Sequence, residues 1–292
     1  MPELPPSFQL DPQAPVFHLG SCFARGLEGA LARRGVRVTS RPDRADPSDV
    51  EKAHRLGFLD VATPPELLQE LEWASGRRQI SERSFLALTD LWIDPHLGER
   101  AGAGSLEAQR KRRAAIGRYF ARAFQAKLVV VTFGETEIWF DRKTGFALAG
   151  PPPARLRSLD PDRFGLRRLG YDDVYGYLKS LTALLRGENG ARKVILTVSP
   201  VPIERTFGGE DVIVANTIAK STLVTAAAAI ASAETDVDYF PVFEAVTTSD
   251  PQRAWLQDRR HVSKELVTAV IDAFVERYGL FLVPDSRTSG SA

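Results

Sequence analysis

Two short runs constrain the fold more than any other part of the sequence: Leu128-Val129-Val130-Val131 and Val194-Ile195-Leu196. Each is unbroken and apolar, rich in β-branched residues, with no polar residue at alternate positions to face water. Such runs suit parallel strands buried on both faces, because helices cover a parallel sheet from both sides. Between them, Val174, Leu178, Leu181 and Leu185 recur at helical spacing within residues 171–186, as a right-handed crossover requires.

The same pattern extends in both directions. Pro15 to Gly20 predicts a first strand, ending at a glycine, and Phe23, Leu27, Ala30 and Leu31 place a helix directly after it. That helix stops at Arg33-Arg34-Gly35, with cations in its last turn and glycine just beyond. Val36-Arg37-Val38 offers a brief second strand, followed by a loop rich in proline, aspartate and arginine from Ser40 to Asp49. Helices are predicted over residues 65–74, 105–125, 211–233 and 262–278, strands over 127–133, 193–199 and 237–243, and Ser81 to Arg100 fits neither period. Five strands alternating with helices imply an α/β fold with an open five-stranded parallel sheet covered on both sides. Ligands of such sheets bind beyond the carboxyl ends of the strands. No repeat of fixed period interrupts the chain, so a single domain over residues 1–283 is expected, with residues 40–105 as an insertion and residues 284–292 as a disordered tail.

Composition narrows the class of function. Hydrophobic residues make up 43% and charged residues 26% of 292, ordinary values for a globular protein. The 38 basic and 37 acidic residues leave a formal charge of +1, so no global field draws the chain to nucleic acid or anionic lipid. The run Arg110-Lys111-Arg112-Arg113 reads as a solvated helix face. One cysteine, Cys22, excludes an internal disulfide and a cysteine-built zinc site. The apolar stretch Leu223 to Ala233 is too short to span a bilayer. The first residues carry neither a basic nor an apolar signal region, so a cytoplasmic protein is expected. No metal or cofactor is expected, since no ligand cluster of the metal-binding type occurs; oligomeric state is left open.

Three places along the chain carry polar groups where the sheet's carboxyl edge should lie. The first is Gly20-Ser21-Cys22-Phe23-Ala24, at the junction of strand and helix. There the glycine permits a tight turn, and backbone N–H groups at a helix start can hold a developing oxyanion. Serine also caps helices constantly, and taken alone that role is the commoner one. The second is Asp258-Arg259-Arg260-His261, whose spacing lets the carboxylate reach one imidazole nitrogen while the other faces a nucleophile. Such pairs arise by chance too, as a turn aspartate and a helix-capping histidine. The third is Gly134-Glu135-Thr136-Glu137, directly after the buried run, where Thr136 could donate to an oxyanion and Glu137 could orient a loop or meet substrate. Trp139 is a packing residue or a wall of the site. Ser199 precedes Pro200 and reads as structural. His18 and His54 read as structural histidines. Cys22, at a helix N-terminus, is weighed as a nucleophile in its own right, but a small buried thiol in that place suits packing better.

Gly20 to Ala24 resembles the motif after which the GSCFA proteins are named, a family similar to the SGNH/GDSL hydrolases. Further blocks follow in order: Leu91 to Leu97, Thr132 to Trp139, Leu196 to Pro202, Lys220-Ser221 and Tyr239-Phe240-Pro241. The resemblance spans about residues 15–275. It implies a flavodoxin-like three-layer fold of the SGNH type, with the strand order 2-1-3-4-5, and a triad of Ser21, Asp258 and His261. SGNH enzymes carry an oxyanion-hole asparagine after the third strand, whereas Thr136 stands there in this chain. Their second-block glycine has Gly57 as its candidate. The implied oxyanion hole is therefore Ser21, Gly57 and Thr136, with Gly134, Glu137 and Trp139 against substrate.

On this basis His261 takes the Ser21 proton, and the acyl-enzyme passes its acyl group to water or to a sugar hydroxyl. The triad does not distinguish esterase from O-acyltransferase. Resemblance to SGNH enzymes implies a small-molecule or glycan acyl ester as substrate, with a short O-acyl group such as acetyl on a carbohydrate. Trp73, Trp92, Trp139 and Trp255 could stack on sugar faces. A non-catalytic carbohydrate- or protein-binding module on the same fold is a rival, and so is a nucleotide-binding protein, though the first turn lacks Gly-x-Gly-x-x-Gly.

Overall fold

The computed structural model describes residues 2, 4–41, 51, 57, 59–97, 102–187, 190 and 192–280. Within these, the chain runs β1 (Val16–Gly20), α1 (Cys22–Arg33), α2 (Pro64–Ala74), β2 (Leu86–Leu88), β3 (Leu91–Ile93), α3 (Leu106–Ala121), β4 (Leu128–Phe133) and β5 (Glu137–Asp141). It continues through β6 (Phe146–Leu148), α4 (Ala154–Leu159), β7 (Phe164–Arg168), α5 (Tyr171–Arg186), β8 (Lys193–Val198), α6 (Val212–Ala233), β9 (Val237–Tyr239), α7 (Val242–Thr247), α8 (Pro251–Ala254) and α9 (Lys264–Tyr278).

The main sheet has four parallel strands in the order β1-β4-β8-β9. Every residue of β1 and β4 is buried, as their unbroken apolar pattern requires. One face packs Phe17, Val129, Val131 and Leu196 against Leu67 of α2, Ile116 of α3, Leu178 of α5 and Leu223 of α6. The other packs Val16, Val130 and Ile195 against Leu27 of α1 and Val270 and Phe274 of α9. The result is a three-layer α/β arrangement.

The fifth strand of the expected sheet is not formed. Val38 meets Val16 in one isolated parallel bridge, and Asp60 meets Gly20 in another. Val16 N–H donates to Arg37 O and Val16 O accepts from Thr39 N–H, so the pairing lasts a single residue. Only a few residues separate Gly35 from the proline- and aspartate-rich stretch, too few for a ladder. The last strand also ends sooner than expected. Phe240 N–H still donates to Leu196 O, but Pro241 has no N–H to continue the pairing and α7 starts directly after it.

Two small antiparallel sheets were not anticipated. β2 and β3 form a hairpin inside the segment 81–100, and β6-β5-β7 form a three-stranded sheet from the chain between β4 and β8. This second sheet is fastened to α2. Gln69 Nε2 donates to Ala147 O at 3.1 Å, Ala147 N–H donates to Gln69 Oε1 at 3.0 Å, and His96 Nδ1 lies 2.8 Å from Ala147 O.

Beneath this clamp lies a buried ion network. Arg113 on α3 donates to Glu70 on α2 at 2.6 Å and to Asp94 at 2.7 Å, and all three side chains are within 4% of full burial. Asp94 Oδ1 accepts the His96 N–H at 3.0 Å. The basic run is thus not a uniformly solvated face: Gln109, Arg113, Ile116 and Phe120 share the buried stripe of α3, while Arg110 pairs with Glu82 at the surface. α6 is also longer than the apolar stretch read from sequence. Its 22 residues reach spanning length by length and composition, yet Ala219, Leu223, Ala226 and Ile230 pack into the core. The tail 284–292 and most of residues 42–58 lie outside the described residues, among them His54 and its neighbours around Gly57.

Removing one partner of a buried ion network leaves uncompensated charge, at a cost of about 3–5 kcal/mol. Arg113→Met is therefore expected to lower the urea unfolding free energy by about that amount. The exposed neighbour Arg110→Met, which loses only a surface pair, should cost under about 1 kcal/mol.

Candidate active site

The site begins with a backbone contact. At Gly20, φ is +121°, and a Cβ built there would stand 2.0 Å from Thr132 O. No side chain can occupy that space, so only glycine lets the end of β1 lie flush against β4. The next residue, Ser21, turns out of the sheet with φ −64° and ψ 169° and starts α1. It occupies the N-cap position, yet its hydroxyl makes no capping hydrogen bond. Ser21 is 7% exposed, and its Oγ has no hydrogen-bond partner among the described residues. A buried hydroxyl without a partner is costly to leave so, and Ser21 lines a cavity of about 290 Å³.

Gly134, Thr136, Glu137 and Trp139 line the same cavity. Thr136 is 1% exposed and its Oγ1 is also unpartnered. Glu137 is engaged by the chain itself: it accepts from Thr206 Oγ1 at 2.6 Å, from Phe207 N–H at 2.8 Å and from Arg168 at 2.9 Å. Burial opposes its charge, but these donors hold its carboxyl below the usual range. Its place is to fix the 204–210 loop. Trp139 stands edge-on to Phe207, with ring centroids 5.7 Å apart, and the two form an aromatic wall.

The groups inferred from sequence for an oxyanion hole are placed as follows. Ser21 N–H donates to Thr132 O at 3.0 Å, so it is already used in holding the turn. Gly134 N–H and Glu135 N–H both donate to Ala62 O, at 2.9 and 3.3 Å. Gly57 lines a smaller neighbouring cavity that shares Asp60 and Glu66 with the first, and it is not among the residues around Ser21.

Asp258 and His261 do pair. His261 Nδ1 lies 2.6 Å from Asp258 Oδ2, and the backbone N–H groups of Arg260 and His261 donate to Asp258 Oδ1 at 2.9 and 3.0 Å. These bonds, the imidazole's first, hold the Asp258 carboxyl down at about 2. The pair is open to solvent, with the His261 side chain 57% exposed. Arg260 of the same turn lines the cavity and pairs with Glu204. His261 does not hydrogen-bond Ser21 in this structure, since Ser21 Oγ has no partner.

Several cavity residues were not singled out as site candidates in the sequence, namely Asp60, Glu66, Arg205 and Lys220, and Glu135 was quoted within its motif without a role. Glu66 on α2 is pushed up to about 8, first by burial and then by the Glu135 carboxylate. Lys220 on α6 is 1% exposed and donates to Gly134 O at 2.8 Å. Its signal was available, because it is the one charged residue in the 22 of α6. Cys22 is exposed rather than packed away. The surrounding chain still desolvates its thiolate, and with the Asp60 carboxylate nearby the thiol is raised above its ordinary value. Among the described residues, no group of three or more His, Cys, Asp and Glu side chains is placed to hold a metal ion.

The model of the GSCFA family matches residues 15–274, most of the sequence. The chain belongs to that family. The GSCFA segment therefore takes in the whole main sheet, the cavity and the Asp258–His261 pair. Among solved structures, this GSCFA chain is similar to a Clostridium thermocellum family 3 carbohydrate esterase, at 10% identity and a TM-score of 0.36, over 90% of this chain and 94% of that one. No curated protein sequence matches it.

A raised thiol pKa means little thiolate at neutral pH, and thiolate is the reactive form. Alkylation of Cys22 by iodoacetamide is therefore expected to be slower at pH 7.5 than that of an unstructured cysteine peptide, accelerating only at more alkaline pH than the peptide does. Mass spectrometry of the modified protein across pH measures this; a rate at pH 7.5 above the peptide's would contradict the assignment.

Proposed function

We propose that this chain is a serine-dependent acyl ester hydrolase of the SGNH type, with Ser21, His261 and Asp258 as its triad and a short O-acyl group on a carbohydrate as its substrate. The observation that carries the reading is Ser21 Oγ: a buried, unpartnered hydroxyl just past the carboxyl end of β1, on a residue that lines a cavity. A serine serving only as a cap would donate or accept at the start of α1, and this one does neither.

Asp258 accepts from His261 Nδ1, which leaves Nε2 as the basic nitrogen. His261 then has to reach Ser21 when an ester fills the cavity. Catalytic hydrogen bonds are commonly long or open in unliganded enzymes and tighten in the Michaelis complex. The exposed turn 256–261 carries the histidine and already lends Arg260 to the cavity wall. With Nε2 as base, the Ser21 oxygen attacks the ester carbonyl, the alcohol leaves with the proton from His261, and water repeats the sequence to release the acid. The small cavity favours a short acyl group, and the Trp139–Phe207 wall offers a face to a sugar ring.

Hydrolysis of p-nitrophenyl acetate by the full-length protein tests this reading. Ser21→Ala and His261→Ala are each expected to lower kcat by about 10³-fold or more, whereas Cys22→Ala should stay within about twofold of wild type, its thiol being neither base nor nucleophile. Activity that survives Ser21→Ala but disappears in Cys22→Ala would transfer the nucleophile to the neighbouring thiol and end the serine reading.

A further inference from the structure

A serine nucleophile needs hydrogen-bond donors at the point where the carbonyl oxygen becomes negative. Around Ser21 several backbone donors are already engaged. The N–H groups of Ser21, Gly134 and Glu135 are already given to Thr132 O and Ala62 O, and no asparagine stands after β4. What the cavity does hold is a buried ammonium. Lys220 is 1% exposed, and of its three N–H donors one is directed to Gly134 O at 2.8 Å.

The position of Gly134 shows where the cation lies relative to the serine. A Cβ built on Gly134 would stand 3.7 Å from Ser21 Cβ and 3.8 Å from Lys220 Nζ. Gly134 thus lies close to both the serine and the buried ammonium, and the same point is 3.7 Å from Ala62 Cβ. Thr136, two residues on, lines the same cavity with an unpartnered Oγ1.

Resting on the serine reading above, we propose that Lys220 is a catalytic residue of this site: its ammonium, together with the Thr136 hydroxyl, receives the oxyanion formed when Ser21 attacks an ester carbonyl. In that step the Ser21 Oγ–C bond forms, the carbonyl π pair moves onto oxygen, and the Ser21 proton passes to His261 Nε2. The oxyanion is directed toward Nζ, which lies across Gly134 from Ser21. On collapse the pair returns to C=O, the ester C–O bond breaks, and the leaving alkoxide takes the proton from His261. Lys220 gives up no proton. It acts by charge, inside a wall of protein where a fixed cation is worth more than in water.

A buried lysine in this place also limits the pH range. Burial lowers its pKa to about 8, with Glu135 and Cys22 opposing that shift. Glu66 from α2, Glu137 from β5, Arg205 from the loop before α6 and Arg260 from the turn before α9 face the same cavity. Below about 8 the ammonium is present and above it the amine is neutral, so activity that depends on the cation falls as pH rises through that value. Glu66 titrates in the same range, and Lys220→Arg separates the two, because arginine keeps its charge at all working pH.

The test is the pH dependence of p-nitrophenyl acetate hydrolysis by full-length wild type, Lys220→Arg, Lys220→Met, Gly134→Ala and Ser21→Ala. The expected results are an alkaline fall near pH 8 in wild type that is absent in Lys220→Arg, and a kcat about 10²–10³-fold lower in Lys220→Met with KM nearly unchanged. Gly134→Ala, whose methyl fits at ordinary contact distances but comes between Ser21 Cβ and Lys220 Nζ, should fold normally and lose kcat. Should Lys220→Met fail to fold, the comparison of wild type with Lys220→Arg and Gly134→Ala decides. Three outcomes overturn the proposal while leaving the serine reading intact, provided Ser21→Ala is inactive: an alkaline limb that persists in Lys220→Arg, activity that rises through pH 8, or a folded Lys220→Met with wild-type kcat. A fully active Ser21→Ala overturns both.

Discussion

The placement of Ser21 depends on one close approach of backbone to backbone, Gly20 against the carbonyl of Thr132. Because β1 and β4 are parallel and in register from Val16–Leu128 to Gly20–Thr132, the two strands end side by side. The chain leaving β1 must then turn immediately. A residue with a Cβ at position 20 would hold the strands apart, and Ser21 N–H could no longer donate to Thr132 O. The same contact that lodges the serine at the sheet edge also takes away its own N–H as a donor. The turn after β4 behaves alike, with Gly134 and Glu135 N–H fixed on Ala62 O. Side chains that reach the cavity can meet charge there as well, and this is the physical ground for attention to Thr136 and Lys220.

The far wall of the cavity depends on a second, more distant set of bonds. Arg113 ties α3 to Glu70 of α2 and to Asp94. Asp94 orders the His96 backbone, and His96 and Gln69 hold Ala147 of the small sheet. Through β6 and β5 this chain of bonds reaches Trp139 and Glu137. Glu137 in turn holds Thr206 and Phe207. A network that buries three charges is not there for stability alone, since well-packed apolar residues would often do as well; its consequence here is a fixed position for the small sheet that walls the cavity.

Much of this was legible in the sequence where a local pattern carried the information. The buried strands announced themselves through unbroken apolar runs, and α5 fell on its expected residues because its stripe is strictly periodic. The Asp258–His261 bond was legible for the same reason, joining residues three apart. What depended on distant pairing was not. The second strand shrank to single bridges because its neighbour in sequence turns too soon. The sheet β6-β5-β7 went unseen because its strands are only three to five residues long, so neither period 2 nor an apolar run stands out. Arg113 reads as one of four solvated cations until the acidic partners from residues 70 and 94 are brought to it. Gly57, the weakest of the site candidates, lacks a local pattern and lies by a different cavity. Lys220 was legible in principle, as a single charge in an alanine-rich helix, a placement whose burial cost calls for a reason.

The most direct measurement is the site of covalent capture by a fluorophosphonate, read by mass spectrometry of peptides from the full-length protein. A single adduct on the peptide containing Ser21, absent from Ser21→Ala, is the result that an activated serine at the end of β1 requires. An adduct located on another residue, or a folded protein that takes up none, would contradict the assignment of Ser21 as nucleophile.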